Sequence, residues 1–357
     1  MKRIQIVSTE KNSGKSLLSL ALGASIRERG AKLAYMKPIS VEVSYVTGEP
    51  IDRDAGAIRS LLSLDDDLHD IAPVPIEGPL LREALESGDR GFRERISTAF
   101  DRVAADRDVA IIEGRHHLGL GASASLSDFD LAELLSTEII LLTNYDGEES
   151  IDRILCALRL FEGGPRILGV VLKDVPVDRS LMTLEEVLVP FLADRGAEVL
   201  GIIPHNPSLR AVTVEEIARG LSGRVLVAAG LEREVRNFVV GALGPDASLR
   251  SFRRTPQLGV ITGADRTDVL EAALDVSGLR CLILTGNARP AREIVDRART
   301  LGLPIVLAGQ NALVTATICT GMLDRVWIRP GPSLDNAIEH VRSNIDVARI
   351  LEKARDT

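Results

Sequence analysis

The chain has 357 residues, 45 % of them apolar and 26 % charged, with 43 lysines and arginines against 51 aspartates and glutamates. Length and apolar content predict an ordinary globular protein of two or three domains. A net charge of −8 with only 3 % aromatics argues against nucleic acid or anionic lipid as a partner, because neither a basic field nor a stacking surface is available.

In chain order, "RIQIVS", "KLAYMKPI", "DVAIIEG", "EIILLT", "ILGVVLK" and "EVLGIIP" are short β-rich runs. Helix-like segments separate them, at about 15–29, 53–63, 91–105, 126–136, 149–161 and 181–195. Strands that are almost wholly apolar are buried on both faces, which predicts a parallel sheet with helices on each side. Gly30 and Gly196 follow charged helix ends, where a left-handed cap is wanted. The acidic, Pro/Gly-punctuated stretch 64–90 reads as an excursion at one sheet edge, near the active site. After Pro204 the pattern restarts: "SLRAVTVEEIARGL" is turn then helix, and "GRVLVAAG", "QLGVITG", "LRCLILTG" and "LPIVLAG" alternate with helices at 266–276 and 290–301. The tail "SLDNAIEHVRSNIDVARILEKARDT" has apolar residues at helical spacing and predicts one or two closing helices. The expected division is 1–208, a smaller α/β domain at 209–326, and a helical tail at 327–357. No apolar run nears the ~20 residues that cross a bilayer, and "MKRIQIVSTEKN" does not read as a secretory signal. Cys156, Cys281 and Cys319 are far apart in apolar neighbourhoods and read as core residues of a reducing, cytoplasmic protein.

Between the first strand and the first helix lies "VSTEKNSGKSLLSLALG", with Gly14-Lys15-Ser16 at the turn. The phosphate-loop pattern G-x-x-x-x-G-K-[ST] asks for glycine at position 9, where this chain has Thr9. The triplet alone is common; its setting is not. A buried strand, a short loop and a strong helix former point main-chain N–H groups and the helix N-terminus at one spot that favours an anion. Lys15 would reach the β/γ-phosphates and Ser16 would hold Mg²⁺. The alternative is a solvated turn with Lys15 as a surface charge.

With "LAYMKPIS" following, this start resembles dethiobiotin synthetase-like P-loop proteins. It is still more similar to the amino-terminal region of long-form phosphate acetyltransferases, where a Ser-Thr-Glu loop ending Ser-Gly-Lys-Ser is typical. "RDAGAI", "IIEG", "GVVLKDVP" and "VLGIIPHNPSL" continue the match in order. "TVEEIARGL", "VVGAL", "FRR" and "VITGADRTDVLEAAL…CLILTG" resemble the DRTGG domain that follows in those enzymes. The resemblance implies an α/β, parallel-sheet P-loop NTPase-like domain followed by a smaller DRTGG-like domain. Without the family's acetyltransferase catalytic domain, it also implies a nucleotide-binding and regulatory module, not an acetyl-transferring enzyme.

Carried over residue by residue, the resemblance places Thr9, Glu10, Asn12, Ser13, Gly14, Lys15 and Ser16 around the phosphates of ATP or another nucleoside triphosphate. Ser16, Asp54 and Glu113 fall on Mg²⁺-ligand positions, and oxygen donors suit that ion. Lys37 takes the place of a lysine facing the γ-phosphate and the substrate carboxylate, a clamp for phosphoryl transfer alongside Lys15. Plainer roles stay open: Glu113 as a strand end or helix cap, Asp54 as an acidic helix start, Lys37 as a surface lysine before Pro38. Lys173 stands where the family's base-recognising asparagine is expected. Glu113-Gly114 runs into Arg115, His116 and His117 in place of a glycine-rich acceptor loop; these three are phosphate or substrate contacts, or solvated loop residues.

In the second half, "GVITGADRTDV" is a strand, a turn and a helix start, with Arg266 and Thr267 as anion donors and Asp265 as cap. Thr262-Gly263 and Thr285-Gly286 are parallel turns that line one rim of a pocket, or are helix caps and nothing more. A small-molecule effector and a homodimer interface are the expected uses of this domain. Two functions compete. One is a Mg²⁺-nucleotide-binding regulator. The other is an ATP-dependent ligase that phosphorylates a carboxylate or carbamate for attack by a free amine.

Overall fold

The computed structural model describes residues 1–11, 13–40, 43–46, 49–76, 91–177, 184–286, 288–323, 328 and 331–356, with 43–46, 49, 208 and 332 described by backbone alone. Asn12, part of the 64–90 excursion and the start of the 181–195 helix therefore lie outside the described residues. The chain divides into two compact units: Met1–Asn206 together with Ile328–Thr357, and Pro207–Trp327.

The first unit is built on six strands: β1 (Lys2–Ser8), β2 (Leu33–Met36), β3 (Val109–Glu113), β4 (Glu138–Asn144), β5 (Ile167–Val175) and β6 (Val199–Pro204). Their order is β6-β5-β4-β1-β3-β2, with every pairing parallel. Ile4, Ile6, Val7, Ile111, Ile112, Leu141 and Leu142 have no accessible surface. Each such side chain contributes roughly 2 kcal/mol by leaving water, which is why these runs carry no alternation of polar and apolar residues. The connecting helices are α1 (Lys15–Glu28), α2 (Arg53–Leu61), α3 (Phe92–Ala104), α4 (Asp128–Leu135), α5 (Glu148–Leu160) and the short α6 (Val189–Ala193), which a π turn at Leu184–Leu188 precedes. From β1 the chain steps outward to β2 and back through β3, then crosses to β4 on the other side of β1. The crevice at the carboxyl ends of such strands is where an open parallel sheet places ligands.

Gln5, in the middle of β1, is fully buried and hydrogen-bonded at both ends of its amide. Its Oε1 accepts from Thr137 Oγ1 at 2.9 Å, and its Nε2 donates to the Asp128 carbonyl at 3.1 Å. It thereby ties the start of α4 to the central strand. Gly30 and Gly196 have φ of 80° and 84°, the left-handed caps that their positions call for.

The closing helices, α12 (Pro332–Arg342) and α13 (Val347–Lys353) in chain order, belong to the first unit. The former packs on α1, where Arg342 Nη1 meets Glu28 Oε1 at 2.8 Å. The latter sets Arg349 Nε at 2.8 Å and Lys353 Nζ at 2.6 Å from the Glu198 carboxylate, whose pKa these hydrogen bonds lower to about 2.

The second unit holds β7 (Arg224–Val227), β8 (Asn237–Val240), β9 (Leu258–Gly263), β10 (Leu279–Thr285) and β11 (Ile305–Leu307) in the order β7-β11-β10-β9-β8. Only β7 runs antiparallel to its neighbour. Its helices are α7 (Val214–Gly220), α8 (Pro245–Arg254), α9 (Thr267–Leu274), α10 (Arg292–Thr300) and α11 (Ala312–Leu323). A core of Phe252, Val260, Leu270, Leu282 and Ile305 lies on one face of the sheet, and Val212, Ile217, Ile261, Ile283 and Val306 form another cluster. Cys281 and Cys319 are buried as expected. Cys156 is not: it sits on the outer face of α5, while that helix turns Ser150, Ile154 and Ala157 inward. The apolar letters around it belong to both faces.

Candidate functional site

The residues that the sequence singles out gather at the carboxyl edge of the first sheet. β1 ends at Ser8 and α1 begins at Lys15. Gly14, the N-cap, takes φ 92° and ψ 25°, a left-handed conformation that a side chain would strain. A Cβ there would also lie 3.3 Å from Lys173 Cε. Glycine has no side chain to cap a helix, so Gly14 offers the first-turn N–H groups of α1 no side-chain acceptor. The positive end of the dipole faces the loop.

Lys15 is 8 % exposed. Its ammonium donates to Ser8 Oγ at 2.6 Å and reaches Ser13 Oγ at 3.4 Å. No carboxylate of the described residues comes within ion-pair distance of it. Burial lowers its pKa, opposed by the charges of Asp128, Glu113 and Glu10 and assisted by that of Lys37.

Next to it, Ser16 Oγ donates to Glu113 Oε1 at 2.7 Å, and Tyr35 Oη donates to Glu113 Oε2 at 2.8 Å. Tyr35 is fully buried, and burial together with the Glu113 and Asp52 charges holds its phenol well above the usual range, so it is a fixed donor. Lys37 is 6 % exposed; its ammonium lies 3.0 Å from Asp52 Oδ2 and 3.9 Å from Glu113 Oε1. Burial alone would lower its pKa, but the Glu113, Asp52 and Asp54 carboxylates overcome this and raise it.

The sequence pointed to Asp54, and the structure puts Asp52 in contact with Lys37. Asp52 is the N-cap of α2, its Oδ1 accepting from Ala55 N at 2.9 Å, and it is 2 % exposed. Asp54 sits in the first turn of α2, half-buried, close enough for its charge to act on Lys37.

Mg²⁺ asks for oxygen donors and keeps several waters and phosphate oxygens of its own. Ser16 and Glu113 fit this, being hard oxygen donors 2.7 Å apart beside the uncapped helix end. No cluster of three or more His, Cys, Asp or Glu residues that could hold a metal alone exists among the described residues. Any ion here would depend on ligands that a phosphate chain brings.

Other loop residues are occupied differently. Thr9 Oγ1 donates to the Glu10 carboxylate and lies 3.2 Å from Thr143 Oγ1, a hydroxyl free to donate to it. Glu10 Oε1 accepts from Asn144 N at 2.6 Å, and Glu10 Oε2 lies 3.2 Å from Arg153 Nε. Thr9 and Glu10 thus brace the loop against the end of β4. Lys173, at the end of β5, pairs with Asp174 Oδ2 at 2.6 Å while its methylenes lie along Gly14.

Asp128 was not singled out by the sequence. A capping box of Ser127 and Asp130 fixes the start of α4, and the next residue, Asp128, turns its buried carboxylate back onto Gly114 and accepts from Arg115 N at 2.8 Å. Burial raises its pKa to about 6 against the opposing Arg115 hydrogen bond and the Lys15 and Arg115 charges. Its other oxygen has no hydrogen-bond partner. A charged letter inside a capping pattern looks like ordinary helix-start chemistry, so this role left no separate signal.

In the second unit the N-cap of α9 is Arg266, where the sequence pointed to Asp265. Its guanidinium reaches Asp268 Oδ1 at 3.2 Å and donates to the Leu243 carbonyl at 3.0 Å. The Thr262 hydroxyl donates to the Gly241 carbonyl and the Thr285 hydroxyl to the Thr262 carbonyl. These turns are adjacent on paired strands, and their donors are satisfied by the fold itself.

Residues 2–213 match the AAA domain family AAA_26, and residues 216–322 match the DRTGG domain. Phosphate acetyltransferase of Pseudomonas aeruginosa is 27% identical over 364 residues, which cover 96% of this chain and 50% of that protein. ATP-dependent dethiobiotin synthetase of Aromatoleum aromaticum is 25% identical over 202 residues, 56% of this chain and 89% of that protein. Among solved structures, the cell division ATPase MinD of Pyrococcus furiosus is 20% identical with a TM-score of 0.37, covering 59% of this chain and 86% of that one. The chain spans about half the length of the phosphate acetyltransferases it matches.

Proposed function

The chain belongs to the AAA domain family AAA_26, with a DRTGG domain following, and from that premise we propose that its first unit binds a nucleoside triphosphate, ATP foremost, with Mg²⁺. The observation that carries this is Lys15. A buried ammonium, held among the described residues only by hydroxyls, at a helix N-terminus that its N-cap residue leaves uncapped, is an unfavourable arrangement until an anion joins it. In this reading Gly14 and the first turn of α1 hold the phosphates by their N–H groups, and Lys15 neutralises the β/γ oxygens. Ser16 and Glu113 hold Mg²⁺, which would supply charge neutralisation between phosphate oxygens, and Asp54 stands as the third candidate ligand. Lys173 takes the side of the loop next to Gly14, and the pairing of Lys173 with Asp174 leaves the nucleobase unassigned.

Turnover as a ligase asks Lys37 to face the transferred phosphoryl group. Its ammonium is committed to Asp52 and Glu113, and this supports binding and sensing ahead of transfer. The DRTGG domain is the sensing half of the proposal, supported by the match of residues 216–322.

Thermal melting tests both halves. ATP with Mg²⁺ should raise the melting temperature of the wild type, and Lys15→Ala should weaken apparent affinity about a hundredfold, roughly 3 kcal/mol. An unchanged response in the variant refutes the assignment. A metabolite that stabilises Lys15→Ala as well as wild type binds away from the P-loop, as an effector of the second unit must.

A further inference from the structure

Beside the P-loop, the connection after β3 carries a second cation that the nucleotide reading does not use. Arg115 is 7 % exposed, yet its Nε and Nη1 are buried without a hydrogen-bond partner. Its backbone is fixed: Arg115 N donates to Asp128 Oδ1, and the neighbouring His116 carbonyl accepts from Ser8 Oγ at 3.3 Å, which seats the loop on the end of β1. The side chain is given close quarters as well. Gly121 has φ 98°, and a Cβ there would stand 2.6 Å from Arg115 Nη1.

A guanidinium has five N–H donors in a rigid fork and stays charged, so it cannot escape burial by neutralising itself. Leaving such donors dry is costly unless acceptors arrive from elsewhere. Asp128 is the carboxylate whose charge acts on the guanidinium, but its Oδ1 accepts from the Arg115 amide and no ion pair joins it to the guanidinium among the described residues. Three cations lie near one another: the charges of Lys11, Arg115 and Lys15 all act on His117, whose pKa they and burial lower.

We infer that Arg115 forms an oxyanion subsite beside the P-loop, which takes a carboxylate or phosphate group of a second small ligand. The Lys11 and Lys15 charges add positive potential nearby. The inference rests on the nucleotide reading only for the identity of the neighbour; the subsite itself stands on the unpaired guanidinium.

The test uses the full chain with Mg²⁺ and a saturating non-hydrolysable ATP analogue, so that the P-loop is filled. Inorganic phosphate and, separately, succinate are then titrated while melting is followed. Wild type should gain stability with one probe or both, which tells a tetrahedral from a planar ligand. Arg115→Gln should need about tenfold more probe for the same gain, and Arg115→Lys should fall between. The ligand-free melting temperature of Arg115→Gln should be no lower than that of wild type, because an unpaired buried charge has been removed. If the analogue fails to stabilise wild type, the nucleotide reading falls by itself. Probe responses in wild type and Lys15→Ala that vanish in Arg115→Gln then still uphold the subsite. Equal responses in wild type and Arg115→Gln, no response in wild type, or a lowered ligand-free melting temperature of Arg115→Gln overturns it. So does a loss of analogue binding in Arg115→Gln as large as in Lys15→Ala, which would give Arg115 to the nucleotide itself.

Discussion

Lys15 and Lys37 are both buried at the carboxyl edge of the same sheet, and their surroundings are opposites. Lys37 faces Asp52 and Glu113, and its pKa rises; Lys15 faces hydroxyls, and its pKa falls. One corner is closed upon itself and the other is electrically incomplete. The lesson is that burial of a charge does not mark a ligand site; burial without a partner does. Arg266 and Arg115 repeat the contrast in arginines, the first engaged by Asp268 and a carbonyl, the second by neither.

Four experiments would break or sharpen this contrast. The largest effect belongs to the closed corner. Lys37→Met leaves Asp52 and Glu113 buried without their cation and should lower unfolding stability by about 4 kcal/mol in denaturant titration. A loss below about 1 kcal/mol would show that the pair is not the clasp described.

Asp128 comes next. Its folded pKa of about 6 exceeds the ordinary 3.8, so the folded state holds the proton more tightly than the unfolded one. Its contribution is therefore intact below about pH 4, diminishes as pH rises toward 6, and is a constant penalty above that, at most about 3 kcal/mol. Asp128→Asn should flatten that descent in melting curves taken across the window; an unchanged slope rejects the assignment.

Lys15→Met, without ligand, should be neutral or gain up to about 1 kcal/mol, since a desolvated charge gives way to an apolar chain of similar length. Destabilisation comparable to Lys37→Met would erase the distinction between the corners. Smallest of all, Arg266→Ala should shift melting by only about a degree and leave any nucleotide response untouched.

Much of this was readable in the letters. The strand–loop–helix setting of Gly14-Lys15-Ser16 located the loop despite Thr9, because the all-apolar "IQIVS" and the long apolar stripe of α1 demand a buried sheet edge there. Glu113 was found because it ends an apolar strand. Asp52 as the partner of Lys37 left no signal of its own: two acids flank Arg53, and only the backbone geometry of the α2 cap turns Asp52 toward that lysine. Tyr35 lies inside the apolar run "LAYM", where a phenol reads as bulk and not as a donor. Arg115 was in view as a loop residue, but its burial comes with Gly121, six residues on, lying against its guanidinium. Closure of this kind has no local period for a sequence to display.

The grouping of Ile328–Thr357 with Met1–Asn206 has a temporal consequence. The residues at the start of β1 are tied to late-made ones: the Met1 amino group meets Asp356 at 3.2 Å, and Lys2 donates to the Ala354 carbonyl. On a ribosome these partners emerge after everything between them. The inner stretch Pro207–Trp327 is contiguous and has all its own strands to hand, so it can mature while the flanking body waits for its last helices. The portion translated first is the portion completed last, and its P-loop must stay tolerably safe from aggregation throughout that interval.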